Sequence, residues 1–311
     1  MPPPLPRAAA VLEVQGHRGA RGLWPENTLA AFAGALELGV STLELDCGMT
    51  RDGVMVVTHD PELNPDLTRG ADGRFLAATG PRVFDLSFSE LESYDVGRLK
   101  PGSAYAARFP EQEPVDGERI PRLAEVLTLA RARGAGQVRV AIEVKTFPEQ
   151  PELTASPEAF AAALAQDVAA TGTLALVSIM AFDWRVLAAV RRLMPQVATA
   201  ALTEQQPGVD TVRLGAPQPS PWLGGLDPAH FGNSVVRLVK ASGAATWGPD
   251  YQDLNAERIA AAHALGLRVV PWTVNAAGDM ERLIGLGIDG MTTDRPDVLR
   301  ELLENLGAYK R

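Results

Sequence analysis

The sequence predicts a closed (β/α)8 barrel, an α/β fold in which eight parallel strands form a cylinder inside a ring of helices. Short apolar segments alternate with helical segments along nearly the whole chain, and this alternation is typical of parallel sheets. Eight strand–helix pairs fit into 311 residues, a length that leaves room for two insertions beyond the roughly 250 residues such barrels need. No glycine-rich dinucleotide fingerprint follows the first strand, which argues against an open doubly wound sheet.

The first half of the chain supplies three of the eight predicted barrel strands. Its predicted elements are, in order, strand 11–15, helix 28–38, strand 42–46, a short extra strand 54–58, helix 123–133, strand 139–144 and helix 157–170. Asn27 is expected to be the N-cap of the first helix, and Gly39 stands where that helix should end.

The second half supplies the other five pairs. They are strand 174–179 with helix 184–193, strand 197–202 with helix 234–241, strand 244–247 with helix 256–265, strand 268–272 with helix 279–286, and strand 288–291 with helix 297–306. Two intervals rich in Pro and Gly, 61–118 and 205–228, lie after the second and the fifth strands. We therefore predict one barrel domain over 11–306, with 61–118 as an inserted subdomain.

Composition excludes several classes of partner. The net charge of −9 argues against nucleic acid, whose binding depends on clusters of Lys and Arg. No apolar run is long enough to cross a membrane and no signal peptide is visible, so the expectation is a cytoplasmic protein without a stable membrane anchor, or a periplasmic one if a leader was removed. Cys47 is the only cysteine, which excludes an internal disulfide and is expected to be a small buried residue. The sequence does not indicate the oligomeric state.

Chemistry-bearing residues follow the predicted strands. Active sites of such barrels lie at the carboxyl ends of the strands, so residues at these ends should converge on one rim. Glu44 and Asp46 are two apart in the second strand and should therefore point to the same face. The candidates at the strand ends are His17, Arg18, Glu44, Asp46, His59, Glu143, Lys145 and Trp272.

This mixture indicates phosphodiester hydrolysis, which needs acid/base groups, cations for the phosphate and carboxylates for a hard metal ion. Three carboxylates without thiolate or imidazole favour Mg²⁺ or Ca²⁺ over Zn²⁺. Simpler interpretations stay open at this stage. Glu143 and Lys145 would then form a private salt bridge, Asp60 would cap a turn, and Trp272 would only pack.

Seven motifs resemble those of the glycerophosphodiester phosphodiesterases. They are Gly16-His17-Arg18-Gly19, Pro25-Glu26-Asn27-Thr28, Leu43-Glu44-Leu45-Asp46, Asp52-Gly53 leading to Val57-Thr58-His59-Asp60, Ile142-Glu143-Val144-Lys145, Trp272-Thr273-Val274-Asn275, and Asp289-Gly290 with Thr293-Asp294-Arg295-Pro296. The resemblance runs from about residue 14 to residue 300. It implies a phosphatidylinositol-phospholipase-like phosphodiesterase barrel, with 61–118 as the small inserted domain that covers the barrel mouth.

The resemblance also implies roles for individual residues. His17 and His59 would be the acid/base pair, and Glu44, Asp46 and Glu143 would hold one divalent cation, Mg²⁺ or Ca²⁺. By the same resemblance, Arg18 and Lys145 would contact the phosphate. We also expect Trp272, from its place at a strand end, and Glu26 to bind substrate. One departure is Ala181, which stands where the family commonly has a serine, so a polar contact near the site is expected to be missing.

The function implied is hydrolysis of small-molecule glycerophosphodiesters to glycerol 3-phosphate and an alcohol. In the family, the neighbouring glycerol hydroxyl attacks phosphorus and water later opens the cyclic phosphate. Two alternatives remain: a phospholipase D of the sphingomyelinase kind, and a non-catalytic barrel that binds phosphodiesters. A degenerate binder should have lost a histidine or a metal carboxylate, and here all are present.

Overall fold

Eight parallel strands form the wall of a barrel in the computed structural model, which describes residues 12–307. Three further strands lie outside this wall. The strands in chain order are β1 (Glu13–Gly16), β2 (Thr42–Met49), β3 (Met55–Val57), β4 (Arg139–Val144), β5 (Val177–Ala181), β6 (Ala198–Thr203), β7 (Gln205–Gln206), β8 (Val209–Asp210), β9 (Thr246–Pro249), β10 (Arg268–Val269) and β11 (Gly290–Thr293).

The wall strands follow the order β10-β9-β6-β5-β4-β2-β1-β11, and every neighbouring pair is parallel. Backbone hydrogen bonds bring the two ends of this sheet together: Asp289 donates to Val269 and Thr292 donates to Pro271, each over 2.9 Å. The sheet is therefore a nearly closed barrel, as the alternating sequence pattern predicts.

Helices surround this barrel at the predicted places. Within residues 12–307 they are α1 (Leu29–Leu38), α2 (Phe88–Leu91), α3 (Leu123–Arg133), α4 (Pro157–Thr171), α5 (Trp184–Leu193), α6 (Val235–Ala241), α7 (Ala256–Ala264), α8 (Ala277–Gly285) and α9 (Pro296–Asn305). Only α2, a single turn inside the interval 61–118, has no counterpart among the predicted helices.

The main core lies between the barrel wall and the helices. Leu43, Leu45 and Ile142 are fully buried and pack in this layer with Phe32 of α1. Because successive strand residues point to opposite faces, the residues between them, such as Glu44, point into the barrel. Each buried large side chain contributes about 1.5–3 kcal/mol through removal of apolar surface from water. This packing holds the strands that carry the polar residues.

Two details of the first unit differ from the sequence expectation. The described part of the first strand starts at Glu13, and Val11, where the predicted strand and domain begin, lies outside the described residues. Asn27 is not the N-cap of α1: that cap is Thr28, whose side chain accepts a hydrogen bond from the backbone N–H of Ala31. The side-chain amide of Asn27 instead donates to Asp46 over 3.0 Å. The side-chain oxygen of Asn27, which a cap would use as acceptor, instead accepts from the backbone N–H of Asp46 over 3.4 Å.

The interval 61–118 contains α2 and two short 3-10 helices, and no strand longer than an isolated bridge is described in it. It is preceded by β3, which pairs antiparallel with the end of β2. A small apolar cluster separate from the main core holds it together: Val56, Leu63, Val83, Phe88, Leu91 and Ile120. That the interval is a subdomain of its own stays a prediction.

The interval 205–228 follows β6. It begins with an antiparallel ribbon of β7 and β8 and continues into the 3-10 helix Pro221–Leu223. In the part of the chain that the structure describes, no helix has the length and apolar character to span a membrane.

Candidate active site

An open cavity of about 380 Å³ lies at the carboxyl ends of the barrel strands. Of the nine site residues predicted from the sequence, seven line it: His17, Arg18, Glu44, His59, Glu143, Lys145 and Trp272. The other two, Asp46 and Glu26, are buried and contact Arg18, which lines the cavity. The structure therefore brings together the eight residues predicted at strand ends, and Glu26 from the loop before α1 joins them.

A tight turn after β1 places the first two of these residues. His17 to Gly19 form a single 3-10 turn in which Arg18 has φ 50° and Gly19 has φ 77°. Glycine is required at position 19 for two reasons: its φ is positive, and a Cβ there would lie 2.8 Å from the Cβ of Ala31. The backbone N–H of Arg18 donates to Glu44 over 2.9 Å, which ties the strained turn to β2.

His17 is oriented by a carboxylate from the far end of the chain. Its Nδ1 lies 2.6 Å from Oδ1 of Asp294, which follows β11. Asp294 also accepts from Arg21 Nε and from Asn275 Nδ2, each over 2.7 Å. Burial and the charge of Arg21 lower the pKa of His17 to about 4, although Asp294 opposes them. The imidazole is thus held by Nδ1, and its Nε2 is 3.9 Å from Glu44.

His59 is held in the same way by its own neighbour. Its Nδ1 lies 2.7 Å from Oδ1 of Asp60, and Asn64 donates to the other Asp60 oxygen over 2.9 Å. Burial and the charges of Lys145 and Arg18 lower the pKa of His59. Asp60 is therefore more than a turn cap, since its carboxylate orients the imidazole.

Three buried carboxylates meet beside the histidines. Oxygens of Glu44, Asp46 and Glu143 all lie within 4.8 Å of one another. Burial and then the charges of Asp46 and Glu143 raise the pKa of Glu44 well above its usual range. Lys145 Nζ is 3.0 Å from Asp46 and 2.5 Å from Glu143.

This ion pair does not satisfy the cluster. The two oxygens nearest Lys145, Asp46 Oδ1 and Glu143 Oε1, are buried and have no hydrogen bond of acceptable geometry. Three buried carboxylates that repel one another need more positive charge than the one ammonium of Lys145 supplies. An all-oxygen set of three carboxylates therefore fits a hard divalent cation.

Arg18 and Glu26 form a second buried pair. Arg18 Nη1 donates to Glu26 over 2.7 Å, and Arg18 Nε lies 3.1 Å from Asp46. Tyr105, from the interval 61–118, donates its hydroxyl to the other oxygen of Glu26 and accepts from Arg21 over 3.2 Å. Glu26 thus faces Arg18 and Tyr105, which leaves it no direct access to the cavity.

The opposite wall of the cavity is aromatic. Trp272 donates from Nε1 to the carbonyl of Gly248 over 2.9 Å, and its ring meets that of Phe182 edge to face at 5.3 Å. Ala181 packs outward into the core between barrel and helices, whereas Met180 and Phe182 face the cavity. The side chain of Ala181 does not reach the site, so the predicted loss of a polar contact there is wrong.

Sequence reasoning assigned no role to four residues that the structure places at the site: Arg21, Tyr105, Asn275 and Asp294. Asp294 directly follows a barrel strand and was detectable by the same rule that found Glu44. Tyr105 lies in the irregular interval, where no spacing pattern points to it.

Fold and site together define a barrel hydrolase of phosphoric diesters. The model of the Glycerophosphoryl diester phosphodiesterase family matches residues 17–298. A glycerophosphodiester phosphodiesterase of Caldanaerobacter subterraneus is 29% identical over 298 residues, which are 94% of this chain and 98% of that protein. The chain therefore belongs to the glycerophosphoryl diester phosphodiesterase family.

Solved structures of related proteins share the fold of this chain. A candidate glycerophosphoryl diester phosphodiesterase from Silicibacter pomeroyi is 34% identical, with a TM-score of 0.85 and coverage of 96% of this chain and 95% of that one. An Oleispira antarctica phosphodiesterase, solved with its product sn-glycerol-3-phosphate, shares the fold at 21% identity and a TM-score of 0.68, covering 94% and 97% of the two chains.

Proposed function

We propose that this enzyme hydrolyses small glycerophosphodiesters to glycerol 3-phosphate and a free alcohol, and that it requires Mg²⁺ or Ca²⁺. The observation that carries the proposal is the pair of histidines on one cavity, each bound through Nδ1 to an aspartate, beside three carboxylates. The product complex of the Oleispira antarctica relative supports the choice of substrate class.

The cation would be held by Glu44, Asp46 and Glu143, whose buried oxygens otherwise repel one another. When bound, it would neutralise negative charge that develops on the phosphate oxygens. Arg18 and Lys145, both lining the cavity, supply further positive charge and orient the phosphate. Their pairing with Asp46 keeps them charged and fixed in place.

The two histidines act as acid and base. Since Nδ1 of each ring is engaged by an aspartate, Nε2 is the atom available for proton transfer with substrate. Among the described residues that line the cavity there is neither a serine nor a cysteine, and Cys47 is buried away from it. The attacking oxygen is then that of water or of the substrate, and by analogy with the family we infer that the glycerol hydroxyl next to the phosphate attacks phosphorus and forms a cyclic phosphate that water later opens.

Trp272 and Glu26 are the two other residues that the sequence predicts to bind substrate. Trp272 lines the cavity, and we retain it as a platform for the substrate. Glu26 is engaged by Arg18 and Tyr105. We therefore propose that it positions the Arg18 guanidinium and does not touch the substrate itself.

The test compares glycerophosphocholine with the analogue that lacks the hydroxyl next to the phosphate. Intramolecular attack has effective molarities that reach about 10⁵ M, so the analogue should react at least 10³-fold more slowly while still competing for the site. Phosphorus NMR would detect the products and the cyclic phosphate. Comparable kcat for both compounds would show that water attacks directly, and hydrolysis of sphingomyelin vesicles in preference to both would favour the sphingomyelinase alternative.

A further inference from the structure

A second cavity, which we call the aromatic chamber, opens beside the first. It has a volume of about 370 Å³. The two cavities share five lining residues: His59, Glu143, Lys145, Phe182 and Glu204. His17 lines only the first cavity. A phosphate held by Lys145 at this boundary would therefore have one substituent in each space.

The walls of the chamber are mainly apolar. Phe147 follows β4, Phe182 follows β5, and Trp222 and Val209 come from the interval 205–228. The rings of Phe182 and Trp222 meet edge to face, with centroids 6.4 Å apart and an interplanar angle of 81°. Aromatic faces attract cations through their quadrupole, most strongly when the cation is a weakly hydrated one such as a quaternary ammonium group.

Glu204 places a carboxyl group at the wall of the chamber. It is partly buried, and its hydrogen bonds with the Thr211 side chain use its backbone. Within residues 12–307 its carboxyl group forms no ion pair. Burial and the charges of Asp250 and Asp253 raise the pKa of Glu204 to about 7. Lys145 shares both cavities with it, but that ammonium is bound to Asp46 and Glu143. The carboxylate of Glu204 thus lacks a cation of its own.

Resting on the proposed phosphodiesterase function, we propose that the aromatic chamber binds the leaving alcohol and selects alcohols that carry a quaternary ammonium group. Such a group would supply the cation that Glu204 lacks and would pack against the rings of Phe182 and Trp222. A neutral apolar alcohol would fill the same space but leave the carboxylate desolvated and unpaired.

The experiment uses a pair of substrates that differ in charge but not in shape: glycerophosphocholine and its carbon isostere with 3,3-dimethylbutanol. The ratio of their kcat/KM values is measured for the wild type, Glu204→Gln and Glu257→Gln. Glu257 is an exposed residue of α7 and serves as the matched control. We expect a wild-type preference for the cationic substrate that falls about tenfold in Glu204→Gln, equivalent to about 1.4 kcal/mol, and is kept in Glu257→Gln.

A second pair of variants examines the ring. Trp222→Leu should lower the same ratio severalfold, and Trp222→Phe should retain most of it, because a phenyl face still attracts the cation. Equal kcat/KM for both substrates in the wild type, or an unchanged ratio in Glu204→Gln, would overturn the chamber proposal while the phosphodiesterase function stands. Absence of turnover for both substrates would instead refute the proposed function.

Discussion

Replacement of Asp294 by asparagine isolates what the orienting carboxylate does for His17. The substitution keeps the size of the side chain but removes the charge that Nδ1 of His17 and Nε of Arg21 share, at 2.6 and 2.7 Å. An amide can also present its NH₂ group to Nδ1, which would favour the wrong imidazole tautomer. Asp294 is 2% exposed, so water cannot replace the lost charge.

Two magnitudes follow from these contacts. Breaking a buried ion pair by removing one partner costs about 3–5 kcal/mol, and the lower end applies because Arg21 keeps the hydroxyl of Tyr105 at 3.2 Å. The analogous Asp→Asn change in a serine protease triad lowers kcat about 10⁴-fold. We expect Asp294→Asn to lower kcat by about 10²–10⁴-fold with little change in KM. Because Asp294 raises the pKa of His17 against burial and Arg21, that pKa should fall further in the variant.

The assay measures kcat and KM from about pH 3 to about pH 9 and follows urea unfolding of the same samples. Asp289→Asn is the matched control, since Asp289 holds His263 over 2.8 Å at the opposite, amino-terminal end of β11. That variant should keep its kcat within about twofold. A folded Asp294→Asn enzyme with kcat close to the wild type would refute the orienting role.

Three further predictions concern the same site. His17→Ala and His59→Ala should each lower kcat about 10²–10⁴-fold. The pH profile of the wild-type rate should be bell-shaped, with two apparent pKa values that belong to the pair of histidines. Near-normal kcat in His59→Ala would contradict the acid/base assignment. EDTA should abolish turnover and Mg²⁺ or Ca²⁺ restore it, with weaker cation affinity in Glu44→Gln and Asp46→Asn by calorimetry; full turnover of metal-free enzyme would contradict this. The pKa of Glu204 rises from 4.5 to about 7 on folding, so the unfolded state releases this proton first and stability falls as pH rises across that window. After allowance for its exposure, Glu204→Gln should stabilise the fold by about 1 kcal/mol at pH 8 and much less at pH 4, and an equal effect in urea at both pH values would argue against the shift.

The barrel was predictable because each strand and helix carries its own local signal. The predicted limits of α3 and α5, 123–133 and 184–193, match the structure. Gly134 follows the first of these helices, and the Asp183 side chain caps the second. The prediction of Asn27 as the N-cap of α1 was wrong. Its residue type fits a cap, but its side-chain amide binds the carboxylate of Asp46, which is distant in sequence. Local patterns cannot show such competition.

The structure of the interval 61–118 could not be predicted from the sequence for a different reason. Its backbone is fixed by long-range polar contacts, such as Arg69 with Asp95 and Asp116, each over 2.7 Å. These contacts have no periodicity. Its contribution to the site, the hydroxyl of Tyr105 on Glu26, was therefore invisible, whereas Asp294 was detectable from its place at a strand end.

The contact between His17 and Asp294 spans 277 residues of sequence. This separation determines when during protein synthesis the site can form. A ribosome that adds about 5–20 residues per second makes His17 almost at once and Asp294 roughly 15–60 s later. Until β11 pairs with β1, the nascent chain has the loop that carries His17 but no Asp294 carboxylate to orient the imidazole. Activity is thus acquired at a late moment of synthesis, and an emerging chain cannot cleave phosphodiesters before its barrel is nearly complete.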